Sequence, residues 1–174
     1  MTTQQLHLFN CLYLVILAAV IVLTRATPRR VAGALTGSAA CGGVTVFTLA
    51  SGVSARWWHI VMRNDAYFLV LLWLDFALCG YVFLLTWRIA RRFGWLGLAT
   101  VLLVSAVIGP ARDYEYLALF PKWGTHAPGL TPILGISVAY VFLLLLGHGA
   151  MRVIAGPVTA DSLARLPWEA AQSS

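Results

Sequence analysis

The run that decides the fold is AYFLVLLWLDFALCGYVFLLTW, residues 66–87, in which Asp75 is the one charged side chain. A helix crosses the hydrocarbon core of a bilayer with roughly 20 apolar residues, and this run has that length. Asp75 follows Leu71-Leu72-Trp73-Leu74. At about 1.5 Å of rise per residue it falls near the bilayer midplane. A carboxylate there costs several kcal/mol unless it is paired, protonated or hydrated. Asp75 is therefore expected to face the bundle interior, with a hydrogen-bond partner at its own depth. Depth matching names Cys41, Thr45, Ser105 and Tyr140. His148 is four residues from Arg152, roughly two turns deeper toward the inner surface. It is expected to make an interfacial hydrogen bond rather than a dyad with Asp75.

Four more apolar runs flank this one. The five spans are about 6–24, 31–50, 66–87, 93–111 and 130–151, giving a transmembrane domain over 1–157 and a cytoplasmic tail over 158–174. The expected fold class is all-α, a polytopic helix bundle. No alternating strand pattern competes with it. The leader Met1–Asn10 has no Lys or Arg, unlike the basic n-region of a signal peptide, so the first span is expected to be retained.

Composition agrees. Of 174 residues, 60% are apolar and 10% charged, with mean hydropathy +0.84. Globular domains run at roughly 45–50% and about 25%. Too few polar groups remain to cover a soluble surface. That excludes a soluble enzyme, a disordered chain, a secreted disulfide scaffold and a nucleic-acid reader. Cys11, Cys41 and Cys79 each lie in an apolar run without a C-x-x-C, so they read as packing residues.

The bases orient the chain. Arg25, Arg29, Arg30, Arg88, Arg91, Arg92, Arg152 and Arg165 fall on one side of the spans. Arg56, Arg63, Arg112 and Lys122 fall on the other, diluted by Asp65, Asp113 and Glu115. The positive-inside rule puts the larger set in the cytoplasm, the N-terminus outside and the C-terminus inside. The expected location is a bacterial inner membrane. Trp57, Trp58, Trp87, Trp95 and Trp123 lie at span ends, as an aromatic belt would. Gly33-x-x-x-Gly37, Ser38-x-x-x-Gly42 and Ala39-x-x-x-Gly43 suit close helix approach, either within one bundle or across a homo-oligomer.

A second polar cluster lies on the outer side. It comprises Arg56-Trp57-Trp58-His59 with Asp65 in the first loop, and Gly109-Pro110-Ala111-Arg112-Asp113-Tyr114-Glu115-Tyr116 with His126 in the second. The second loop is expected to follow a defined path, with a short interfacial helix. No metal motif, nucleophile elbow or phosphate loop stands out.

The stretch Gly52 to Trp87, with Trp57-Trp58-His59 and an acid in the following helix, resembles small integral-membrane proteins acting on isoprenoids, such as lycopene and other membrane terpene cyclases. Arg112-Asp113-Tyr114 and Phe120-Pro121-x-Trp123 resemble uncharacterised bacterial multi-pass proteins, a likeness that implies no activity.

The leading functional expectation is a lipid or isoprenoid-like substrate in an apolar intramembrane cavity, acted on by carboxylic acid chemistry. A low-dielectric site keeps a carboxyl proton available for transfer, and aromatic faces stabilise a cationic intermediate. Asp75 or Asp65 would be the acid. Trp57, Trp58, His59, Trp73, Tyr140, Arg112, Asp113, Glu115 and His126 would line the site. One alternative is a non-catalytic accessory subunit or assembly factor of a larger membrane complex. The other is a small proton-coupled transporter. Membrane lipids are expected partners, nucleic acid is not, and no cofactor is specified.

Overall fold

A computed structural model describes residues 3–61, 65–122 and 124–157. Arg63, Trp123 and the tail 158–174 lie outside them. Among the described residues the elements are α1 (Thr3–Leu23), α2 (Pro28–Ser54), β1 (Trp58–Ile60), α3 (Asp65–Leu119), β2 (Gly124–His126) and α4 (Leu130–Ala155). Three stretches, Pro28–Ser54, Asp75–Leu119 and Leu130–Ala155, are long and apolar enough to cross a membrane, and His7–Leu23 is a shorter apolar helix.

Local chemistry sets the ends. Thr27 caps α2 by accepting from the Arg30 N–H at 3.3 Å, with Pro28 as the first helical residue. A Pro there loses an N–H that had no partner in the helix. This cap starts α2 three residues before the expected Val31. At the other end Arg56 takes φ 59°, its N–H reaching Val53 O and the Trp57 N–H reaching Gly52 O. That is the hydrogen-bond pair of a Schellman close.

The longest element is broken at Gly94, where φ is 63° and ψ −145°. A side chain resists this conformation and glycine does not. The chain doubles back there, so residues on both sides of Gly94, among them Asp75 and Arg112, line one cavity. The second arm does not stop at Ala111. It runs through Pro110 to Leu119, so the first part of the expected loop is helix. The remaining segment supplies β2, which pairs antiparallel with β1 in the register Trp58 to His126 and Ile60 to Gly124. This two-stranded ribbon is absent from the sequence expectation.

The core lies toward the Gly94 end, built from Leu17, Ala34, Cys41, Phe83, Trp87, Leu144 and Met151. Small residues bring α2 onto α4. A Cβ on Gly37 would sit 2.7 Å from Gly147 O, and one on Gly147 would sit 1.9 Å from the Phe83 ring. Gly33 and Gly37 thus pack within one bundle, while Gly42 and Gly43 meet nothing within 4 Å. Two belt assignments are corrected. Trp87 is fully buried and Trp58 is 5% exposed, whereas Trp95 is exposed. His148 is buried in the bundle, tilted against the Trp87 ring at 5.6 Å.

Candidate functional site

Beside the ribbon the helices diverge around a cavity of about 490 Å³. Its walls are mainly apolar, with contributions from α1 (Phe9, Tyr13), α2 (Thr45, Thr48), both arms of α3 and α4. The volume falls within the range of about 300–1,000 Å³ usual for ligand pockets, which pair apolar walls with a few placed polar groups.

Asp75 is one of those groups. The Thr45 hydroxyl donates to its Oδ2 at 2.8 Å, and Cys79 Sγ lies 4.0 Å from Oδ1. Thr45 is thus the partner among the four that depth matching names. Cys41 instead donates to Leu143 O at 3.3 Å. Cys79, one turn from Asp75 on the same helix face, is an addition that the apolar reading of the cysteines hid.

The second polar group stands where α3 faces α4. Arg112 Nη2 lies 2.9 Å from Asp113 Oδ1, and Tyr140 OH lies 3.0 and 3.1 Å from the two Asp113 oxygens. Arg112 also donates to the Tyr140 oxygen. Its guanidinium lies 5.8 Å from the Tyr116 ring centre and 5.5 Å from that of Tyr140. Gly109 makes this packing possible, because a Cβ there would meet the Tyr140 ring at 2.5 Å. Tyr140 is therefore committed to Asp113 and Arg112 rather than to Asp75.

The ribbon borders the cavity with Trp58, Ile60 and His126. Trp58 Nε1 donates to Leu49 O at 3.2 Å, and its indole lies where a Cβ on Gly52 would be, 1.8 Å from the nearest ring atom. His126 stacks on Tyr114 at 4.2 Å between ring centres and meets the Trp58 ring edge-on at 6.0 Å. Tyr114 OH donates to Ala127 O at 3.1 Å.

Of the residues expected from sequence, Asp75, Trp58, Arg112, Asp113, Tyr140 and His126 share the cavity. Four expected ligand contacts are not among its walls. Trp73 is 52% exposed and stacks on Phe76. Trp57 packs against Gly135. His59 and Glu115 are exposed. Asp65 begins α3, and its side chain lies outside the described part. No cluster of three or more His, Cys, Asp or Glu that could hold a metal occurs among the described residues.

Burial pushes the His126 pKa below its ordinary 6.5, with the Asp113 charge and backbone opposing the shift. Between the folded and unfolded values the unfolded chain binds more protons. The ribbon's stability is therefore full above about pH 6.5 and falls as the pH drops below it. Amide exchange at 124–127 should accelerate between pH 7.5 and pH 5, beyond the intrinsic pH dependence of exchange. His126→Phe should remove that extra acceleration. Equal protection factors at both pH values in the wild type would contradict this assignment.

No known protein-family model, curated protein or solved structure matches the chain.

Proposed function

We propose that this is an integral membrane protein whose cavity takes a lipid or isoprenoid-like molecule, with Asp75 as the general acid that acts on it. The observation that carries the reading is a carboxyl group on an apolar wall, held through one oxygen by Thr45. In an apolar interior the neutral acid costs far less than the carboxylate. Thr45 fixes Oδ2 as an acceptor, so the proton of the neutral acid belongs on Oδ1, beside Cys79. The aromatic rings of Tyr13, Trp58 and Tyr116 border the same space, and π faces favour positive charge developing on a substrate.

In the proposed topology the two arms of α3, 65–93 and 95–119, cross separately. That makes five crossings, with the N-terminus outside and the C-terminus in the cytoplasm of a bacterial inner membrane. The basic residues at the Gly94 end support it. A reporter active only in the periplasm, fused after Ser174, should be silent; activity there would reverse the orientation.

Ligand binding is tested with all-trans-retinol, an apolar isoprenoid alcohol, titrated into the purified full chain by fluorescence. Saturable binding is expected. Ser105 lines the cavity, and Ser105→Trp should weaken binding about tenfold or more, since overfilling a packed space costs roughly 1–3 kcal/mol. Identical titrations for the two proteins would count against the cavity as the binding site.

A further inference from the structure

The end of the bundle opposite the ribbon carries a collar of arginines that the cavity does not use. Arg29 Nε donates to Ile154 O at 2.6 Å, at the C-terminal end of α4. Arg88 Nη1 donates to Leu23 O at 3.0 Å, at the C-terminal end of α1. Arg30 Nη2 donates to Arg25 O at 2.5 Å in the α1–α2 turn. Each arginine therefore reaches a carbonyl that a helix end or turn leaves without an intrahelical donor. The exposed guanidinium groups of Arg29 and Arg88 are held in place with further N–H groups to offer, since five are available and one is used here toward the described residues. Arg152, on the last turn of α4, and Arg92 are also exposed. The described acidic residues, Asp65, Asp75, Asp113 and Glu115, all lie elsewhere along the helices, so no described acid offsets the collar.

A second observation says what kind of anion suits it. Large apolar side chains stand exposed beside these arginines: Val22 is 70% exposed, Leu23 73%, Trp95 75% and Val153 80%. Charge and apolar surface are contiguous, so a ligand covering both has an anionic head and hydrocarbon chains. Inorganic phosphate satisfies only the first. Basic pockets of this kind at a membrane face suit anionic lipid head groups, and guanidinium groups suit phosphate oxygens through paired N–H donors.

We infer that the arginine collar at the Gly94 end, centred on Arg29 and Arg152 at the close of α4 and Arg88 at the close of α1, is a binding site for the phosphodiester of an anionic phospholipid. The inference is independent of what the cavity does.

The test is native mass spectrometry of the delipidated full chain in neutral detergent, titrated with dioleoyl-phosphatidylglycerol or dioleoyl-phosphatidylcholine. Phosphatidylglycerol should be retained about tenfold more strongly, with the preference shrinking as salt rises. The double variant Arg29→Gln/Arg152→Gln should lose most of that preference. Arg29→Lys/Arg152→Lys should keep much of it, which separates lost charge from lost helix capping. Arg56→Gln, at the ribbon end, should behave as wild type. A melting curve for each variant verifies that it is folded. Equal retention of the two lipids overturns the inference, as does a folded Gln double variant with undiminished preference. Displacement of the bound phosphatidylglycerol by millimolar inorganic phosphate would also overturn it, by marking a site for the free ion.

Discussion

Asp75→Asn is expected to leave the bundle folded and to lower turnover of the cavity's substrate by roughly 10²-fold or more, the scale of a lost general acid. The amide has the shape of the acid and still offers an oxygen to the Thr45 hydroxyl, which donates at 2.8 Å in the wild type. A neutral amide costs the membrane interior about what a neutral acid costs, so folding has little reason to change. What disappears is the transferable proton. Asp75→Leu serves as the counterpart. It leaves the Thr45 hydroxyl without its acceptor at a cost of about 1–3 kcal/mol, so it should lower yield as well as turnover. The pair of variants separates the proposed enzyme from its rivals. A functional Asp75→Asn beside a poorly assembled Asp75→Leu would assign Asp75 a structural bond, as in an accessory subunit. A folded, inactive Asp75→Asn with impaired proton-coupled flux would assign it to a carrier.

Gly147→Leu is expected to prevent correct folding. A Cβ at Gly147 would lie 1.9 Å from the tip of the Phe83 ring, and Phe83 is itself 1% exposed in the core. The far side is also occupied, because Gly147 O lies 2.7 Å from where a Cβ on Gly37 would stand. Overpacking costs roughly 1–3 kcal/mol where neighbours can yield, and here α2, α3 and α4 would all have to move. Gly149→Leu is the matched control. Nothing stands within 4 Å of its Cβ position, and replacing a helical Gly removes a propensity penalty of about 1 kcal/mol. Size-exclusion profiles should show Gly147→Leu aggregated or absent and Gly149→Leu monodisperse. Equal profiles would refute the interlock of α2 and α4.

Much of this architecture is legible in the chain because lipid imposes simple rules. Long uncharged runs name the helices, and a lone acid in mid-run must turn inward. Depth narrows the partners of Asp75 to four residues, and the packing of α2 on α3 picks Thr45 from them. The misplacements have physical causes. Trp73 is two residues from Asp75, which at 3.6 residues per turn sets it about 200° around the helix, on the opposite side. Cys79, four residues on, shares the Asp75 face. Proximity in sequence was a poorer guide there than helical period. The segment 111–119 carries Arg112, Asp113 and Glu115 after a proline, a loop-like composition. It stays helical because Arg112 and Asp113 neutralise one another and Tyr116 and Tyr140 pack around the guanidinium. The ribbon strands are three residues each, too short for alternation to declare itself. Once they pair, the pleat turns Trp58 and Ile60 toward the cavity and His59 away from it. His126 becomes a cavity residue only through that long-range pairing.

The central claim is that Asp75 holds a proton inside an apolar cavity. Infrared spectroscopy of the purified full chain at neutral pH measures this directly, through the carbonyl stretch of a protonated carboxylic acid. The account predicts such a band in the wild type, shifted in heavy water and missing from Asp75→Asn. A wild-type spectrum without that band, or one unchanged by Asp75→Asn, would contradict it.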